Sequence, residues 1–275
     1  RRVMTVRRIA LVAWHVFKEH VRDRVLYAIA GFALLLVAAS ILLGQLTAGE
    51  DVKIIKDLGL AVIEGAGLLM TIFLGVGLVS REIDRRSIIS LLAKPLPRWQ
   101  FIVGKYLGLV LTIVVNVAAM TVALFLMLKY LDWRALPVER AAWDAAAADP
   151  HLLLATLMIA IELALLTAVA LFFSAFSSSA LLSLAFTIGI YVTGVFSLDL
   201  RRFGDTVEAP SIVSHVVAAI GWIVPAFSAF DLKAQAVHGL PVPASYVTLT
   251  AGYGVIYAAA AVVAAILVFS RREFT

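Results

Sequence analysis

The feature that most constrains this chain is a series of apolar segments, each long enough to cross a lipid bilayer. A transmembrane helix needs about 20 predominantly apolar residues. Hydrophobic residues make up 63% of the 275 positions, and only 15% are charged. This composition predicts an all-α, polytopic membrane protein with six transmembrane helices. The six segments are residues 25–46, 58–80, 102–128, 152–174, 178–198 and 246–269.

The distribution of basic residues predicts that both termini face the cytoplasm. In that orientation 15 of the 23 Lys and Arg residues lie on the cytoplasmic side, as the positive-inside rule requires. Because these cations flank apolar segments, the net charge of +5 indicates contact with the headgroups of the lipid bilayer and not with nucleic acid. No loop is long enough for a separate soluble domain, so we expect a single membrane domain over residues 1–275.

The basic N-terminal segment, residues 1–24, has the pattern of an interfacial helix. Apolar side chains at Ile9, Ala13, Val16 and Phe17 recur at helical spacing among the basic residues. This pattern favours an amphipathic helix on the inner membrane surface. A solvated basic lead-in to the first span is the alternative.

Residues 199–245, between the last two predicted spans, are nearly apolar enough for a seventh span. Gly221, Pro225 and His215 make this segment a poor lipid-facing helix. A seventh span would also move Arg271 to the outside. We therefore expect a pair of short extracellular helices here, partly re-entrant from the outer face.

Sequence motifs for catalysis or ATP binding do not fit this chain. Lys105 follows Gly104, but Tyr106 replaces the Ser or Thr of a phosphate-binding loop, and Trp99 replaces its first glycine. The chain has no cysteine, and its histidines lack the spacing of metal ligands. We expect neither enzyme activity, nor a metal, nor a cofactor in this chain.

Two acidic residues, Glu64 and Glu162, lie within predicted spans. A charge at the centre of a membrane helix costs about 2.5–3.5 kcal/mol on insertion scales, so each side chain should face protein or water. They line a substrate path, serve as a proton relay, or form hydrogen-bonded contacts between helices. Glu64 lies in a glycine-rich stretch that permits close helix approach, which also allows a dimer interface.

The loop at residues 81–101 has the character of a cytoplasmic docking element. Ser87 can cap a short helix whose apolar face includes Leu91 and Leu92, and Pro95 ends that helix. Arg98 then anchors the chain where it re-enters the membrane. Such a helix can insert into a groove on a partner protein. A simple interfacial reversal with snorkelling cations is the alternative.

This loop resembles that of permease subunits in the type-2 exporter superfamily of ABC transporters. The six-span branch linked to copper-enzyme maturation and gliding machinery is the most similar in appearance. The chain departs from the family at Arg86, where glycine is usual. Its basic N-terminal segment and its Arg-Arg-acid-apolar ending also resemble the family. The residues that carry the loop resemblance are Glu82, Ser87, Leu91, Leu92, Pro95, Arg98, Gly104 and Lys105.

The resemblance implies a permease of an ATP-driven exporter in a prokaryotic inner membrane. The 81–101 loop would be a coupling helix on a cytoplasmic ATPase subunit, present in two copies, which holds the ATP and Mg. Residues 1–24 would be a connecting helix, and a second permease, identical or a sister chain, would complete the complex. The residues implied in ATPase coupling are Glu82, Arg85, Ser87, Leu91, Leu92, Pro95, Arg98 and Lys105.

Two other functions remain open at this point. The chain could be a non-transporting anchor or mechanotransmission subunit of an ABC-type complex, which would bind the ATPase without export. It could also be a secondary transporter, although the halves show no convincing internal symmetry.

Overall fold

The computed structural model of the protein describes residues 2–44, 51–84, 97–141, 143, 145–177, 179–203 and 210–271. Every regular element within these residues is a helix, which confirms the all-α class. In chain order they are α1 (Arg2–His20), α2 (Arg24–Gly44), α3 (Asp51–Asp84), α4 (Arg98–Arg134), α5 (Pro137–Ala141), α6 (His151–Phe176), α7 (Ala180–Val195), α8 (Ser197–Arg201), α9 (Ser211–Ile223), a 3₁₀ helix (Phe227–Phe230), α10 (Lys233–His238) and α11 (Ala244–Arg271).

The long helices form an up-and-down bundle whose two ends can be told apart by their contacts. At one end, here called the basal end, α1 packs against the start of α4, and Phe269 of α11 stacks on Phe101 of α4. At the opposite, distal end, the Nζ of Lys56 in α3 donates a hydrogen bond of 2.7 Å to the carbonyl of Ala146. Helices α3 and α11 therefore run from distal to basal, as does α6, whereas α4 runs from basal to distal.

Helix α6 lies at the centre of the bundle. Apart from Glu162 and a few hydroxyl side chains it is apolar on all sides, as expected for a helix surrounded by other helices. It contacts α3, α4, α7, α10 and α11. Glycines of α3 allow this close packing, because a Cβ at Gly75 would lie only 2.6 Å from the Cβ of Ala170 in α6. The glycine-rich stretch of α3 thus serves packing within the chain.

Four of the six predicted spans correspond to helices long and apolar enough to cross a membrane. These are Val52–Gly75 within α3, together with α4, α6 and α11. The other two predictions fall on shorter apolar helices, Leu26–Ala39 within α2 and Ala180–Val195. At 1.5 Å per residue the 16 residues of α7 extend about 24 Å, less than the roughly 30 Å of a hydrocarbon core. The count of six spans stays a prediction.

The segment between α7 and α11 contains the expected short helices. Helix α9 is followed by Phe227–His238 at an angle of 45°, so the pair is a broken span or a re-entrant loop. The hydroxyl of Ser183, near the start of α7, donates to the carbonyl of Phe173 near the basal end of α6, so α7 runs from basal to distal. Since α11 begins at the distal end, the intervening segment starts and finishes there. This topology favours the re-entrant hairpin, and we call α9 together with Phe227–His238 the re-entrant segment.

The outer surface of the bundle carries large apolar side chains. Leu181 in α7, Trp222 in α9 and Ile256 in α11 are each at least 70% exposed. A soluble protein rarely exposes apolar patches on this scale. The surface suits a lipid environment, in agreement with the predicted membrane location.

Candidate functional site

At the basal end, two glycines of α4 receive the N-terminal helix. A Cβ at Gly104 would lie 2.7 Å from the Cβ of Val12, and a Cβ at Gly108 would lie 2.6 Å from the backbone oxygen of Ala13. Both distances are shorter than ordinary van der Waals contact, so only glycine permits the two helices to approach this closely. Gly104, the glycine of the Gly104-Lys105 pair, therefore forms the docking surface for α1 together with Gly108.

The start of α4 is also attached to the end of α11. The guanidinium of Arg98 donates a hydrogen bond of 2.9 Å to the carbonyl of Ser270. One turn further, Phe101 stacks on Phe269 with 6.2 Å between ring centroids. The ammonium group of Lys105 lies 4.6 Å from the centroid of the Phe101 ring, and its side chain is buried. Because Lys105 is buried, any part it plays in coupling acts through helix packing and not through surface contact with a partner.

Of the remaining predicted coupling residues, the structure describes only Glu82. Glu82 falls within α3, near the point where the helix ends at Asp84. The predicted short helix and its proline lie outside the described residues, as does the chain ending after Arg271. The predicted coupling residues outside the described part are Arg85, Ser87, Leu91, Leu92 and Pro95.

In the interior, Glu64 forms an ion pair with Lys233 of α10. The hydroxyl of Tyr191 in α7 lies 3.5 Å from the other carboxylate oxygen of Glu64. Asp231 is the second acid beside Lys233, with 3.4 Å between the ammonium nitrogen and a carboxylate oxygen. Glu64 thus joins α3 to α7 and to the re-entrant segment, which is the hydrogen-bonded contact between helices that the sequence left open.

Glu162 lies close to the same group but is not bound into it. Its side chain, in the centre of α6, is 3% exposed, and it interacts electrostatically with Glu64, Lys233 and Asp231. Within the described part of the chain its carboxyl group takes part in no hydrogen bond or ion pair. The structure therefore brings the two predicted intramembrane acids together around one lysine.

Sequence reasoning missed three members of this group: Lys233, Asp231 and Tyr191. A signal for two of them was present, since Asp231 and Lys233 are charged residues inside a largely apolar segment. Intramembrane charges usually pair with one another, so Lys233 was a possible partner for Glu64. The choice among eight distal cations could not be made without the fold.

A cavity of about 330 Å³ opens next to this group on the distal side. Its lining includes Lys53 and Asp57 from the first turns of α3, and Asp231, Lys233 and His238 from the re-entrant segment. Lys53, Asp57 and Glu64 are spaced so that they lie along one face of α3. Acidic side chains therefore lie on this face of α3 both at the cavity and further inside the bundle, where Glu64 is half-buried.

A separate polar contact holds the distal loop in place. Asp149 accepts a hydrogen bond of 2.8 Å from the backbone N–H of His151 and lies 2.6 Å from its ring nitrogen. Burial alone would raise the pKa of Asp149, but these hydrogen bonds and the charges of His151 and Lys56 outweigh burial and lower the pKa. Asp149 is thus held as a carboxylate beside the start of α6.

Comparison with known proteins agrees with this architecture. A family model described as ABC-2 family transporter protein matches residues 10–274, nearly the whole chain. A search of curated proteins found no match. Proteins of this family are membrane components of ABC transporters and normally work with a cytoplasmic ATPase. The family match and the helices long enough to cross a membrane show that this chain is a multi-pass membrane protein of the ABC-2 transporter family.

Proposed function

We propose that this chain is the permease subunit of an ATP-driven exporter in a prokaryotic inner membrane. The family match over residues 10–274 carries the proposal. Two cytoplasmic ATPase subunits bind ATP and Mg, and two permeases, identical or sister chains, form the path. The chain itself catalyses no reaction but converts ATPase closure into movement of its helices.

The basal end is the proposed receiver of force. Residues 85–97 join α3 to α4 there, because the two ends of the predicted 81–101 loop belong to these helices. Helix α1 packs on the first turns of α4 through Gly104 and Gly108. Arg98 links the same turns to α11. A displacement of the loop or of α1 would therefore move α4 and α11 together, because a packed interface transmits a shift as a rigid unit.

Association with the ATPase tests the coupling role directly. We expect that Glu82→Ala and Leu91→Asp insert normally but lose the ATPase that co-purifies with the wild-type chain from its native membrane. Glu139→Ala removes the same charge at the distal end, on an exposed helix, and should retain the ATPase. Wild-type recovery of the ATPase with either of these two variants would count against the coupling role.

Transport separates an exporter from a subunit that only anchors or transmits force. The reconstituted complex should move substrate in an ATP-dependent manner, and substrate should stimulate ATP hydrolysis. An anchoring subunit would bind the ATPase without either effect. The proposed orientation has its own test: a tag after Thr275 should be labelled only from the cytoplasm, and labelling from outside would contradict the topology.

A further inference from the structure

We propose that the distal cavity and the acids behind it bind the ammonium group of an amine-bearing substrate. The inference names a substrate class for the proposed permease and so rests on that function. The binding site would comprise Asp57 and Asp231 at the cavity and the carboxyl groups of Glu64 and Glu162 deeper in the bundle. Lys233 occupies the centre of this group in the structure.

The balance of charges at the site favours a cation. Without the buried Glu162, the three carboxyl groups of Asp57, Glu64 and Asp231 and the two lysines, Lys53 and Lys233, give a formal charge of −1. Lys233 is already paired with Glu64 and with Asp231. In the described part of the chain, Asp57 and Glu162 have no ion-pair partner. Asp57 is exposed to water, whereas a buried carboxyl group such as that of Glu162 is costly to ionise without a counter-charge. A bound cation would supply that counter-charge.

The arrangement of the acids indicates a route inward as well as a binding position. Asp57 is exposed at the cavity, Glu64 lies seven residues further along the same face of α3, and Glu162 faces the group from α6. Seven residues of helix correspond to about 10 Å. An ammonium group entering at Asp57 would meet Glu64 next, with Lys233 as the protein's own cation at that position.

The volume of the cavity and its hydrogen-bond acceptors narrow the class of ligand. A volume of about 330 Å³ is at the small end of ligand pockets, which suits a headgroup or a small amine. No cluster of His, Asp or Glu in the described residues could hold a metal ion. The polar acceptors at the cavity are the carboxylates of Asp57 and Asp231, and an ammonium group supplies the N–H donors that they accept.

An ammonium group could come from an aminolipid headgroup or from a soluble amine. The exposed apolar side chains of α9, such as Trp222, suit contact with lipid, so a lipid would approach from the bilayer. The distal opening of the cavity gives a soluble amine access from water. The ligand chemistry is the same in both cases, and the lipid composition of the assay distinguishes the two sources.

Calorimetric titration of the full chain in phosphatidylcholine nanodiscs tests the proposal. The probe is n-octylammonium, with n-octanol and octanoate as neutral and anionic controls of equal chain length, and empty nanodiscs correct for partitioning. We expect saturable binding of the amine at least about tenfold tighter than that of the alcohol. Phosphatidylethanolamine added to the nanodiscs should compete if the source is a lipid headgroup, and leave the affinity unchanged if it is a soluble amine.

Variants locate the binding to this site. Asp57→Asn changes an exposed side chain, so folding should be unaffected, and Glu162→Gln preserves the volume of the buried side chain. Each should raise the Kd of n-octylammonium by about tenfold, whereas Glu139→Gln, at the distal end but away from the cavity, should leave it unchanged. Equal affinities for amine and alcohol, or wild-type affinity in both variants, would overturn the proposal.

A rescue experiment provides a second measurement. Lys233→Ala leaves Glu64 without its cation and should lower the Tm. Addition of n-butylammonium should restore the Tm, whereas n-butanol should not; equal effects of the two would count against an ammonium position beside Glu64. These measurements use the permease without ATP, so loss of transport with intact amine binding would contradict the proposed exporter function and not this inference.

Discussion

The packing of α1 on α4 can be tested by adding a single methyl group. In Gly108→Ala the new Cβ would lie 2.6 Å from the backbone oxygen of Ala13 and 2.7 Å from the Cβ of Val16. Carbon atoms in contact are about 3.5–4.0 Å apart, so α1 must retreat by about 0.8 Å or more. The first clash is with backbone, which cannot rotate away as a flexible side chain can.

The expected cost follows from this geometry. Overpacking of this kind costs about 1–3 kcal/mol, while replacing glycine by alanine within a helix gains up to about 1 kcal/mol. Gly252→Ala in α11 is a matched control, because no atom lies within 4 Å of its added Cβ. The difference in stability between the two variants therefore isolates the steric term, about 1–3 kcal/mol.

Hydrogen exchange of the α1 backbone amides measures the effect where it arises. A loss of 1–3 kcal/mol corresponds to an exchange rate about 5–150-fold higher in α1 of Gly108→Ala than in Gly252→Ala. Weaker coupling to the ATPase should accompany the loss of protection. If α1 of Gly108→Ala exchanges as slowly as in the control, α1 does not dock on this face of α4, and the proposed force route fails.

Three further predictions concern polar contacts. A double-mutant cycle with Glu64→Gln and Lys233→Met should give a coupling energy of about 1–3 kcal/mol in SDS-induced unfolding; additive effects would mean that the two residues do not interact. Because the folded-state pKa of Asp149 is lowered, its carboxylate stabilises the fold above the ordinary pKa of about 3.9, and this contribution disappears as the pH falls through the lowered pKa. Thermal melts from pH 5 to pH 2 should therefore show a larger loss of Tm in the wild type than in Asp149→Asn, and equal losses would contradict the assignment. Arg98→Gln should release the end of α11, seen as faster proteolysis near Arg271, whereas unchanged cleavage would show that the hydrogen bond is dispensable.

The apolar pattern predicted the main helices but not their ends. The predicted span at 102–128 became α4, which begins directly after Pro97 and continues to Arg134. The polar residues at both ends of this helix were not predicted to be helical. Hydropathy indicates whether a residue prefers lipid or water, and it does not indicate the backbone conformation. The predicted span at 178–198 is longer than the helix, because apolar residues continue past the helix end. Ser179 precedes the helix, and near its other end Gly194 packs against the carbonyl of Pro225.

The candidate site was only partly predictable, because it depends on tertiary contacts. Glu64 and Glu162 stood out as charges in apolar segments, and their shared location is consistent with that interpretation. Their partner Lys233 lies 169 residues from Glu64 along the chain, and helical spacing contains no information about such a distance. In the same way, Gly104 was recognised as part of a family motif, but its function in seating α1 follows only from the distance to Val12.

Helix α4 contains no proline and continues for 37 residues without a break, a length of about 55 Å at 1.5 Å per residue. This exceeds the thickness of the hydrocarbon core, so one stiff lever spans the bilayer and projects beyond it. A tilt of about 5° around its basal end would swing the opposite tip by about 5 Å. A sub-ångström displacement where α1 contacts the first turns of α4 can therefore become a displacement of several ångströms at the distal end of α4, without any change in the hydrogen bonds of the helix.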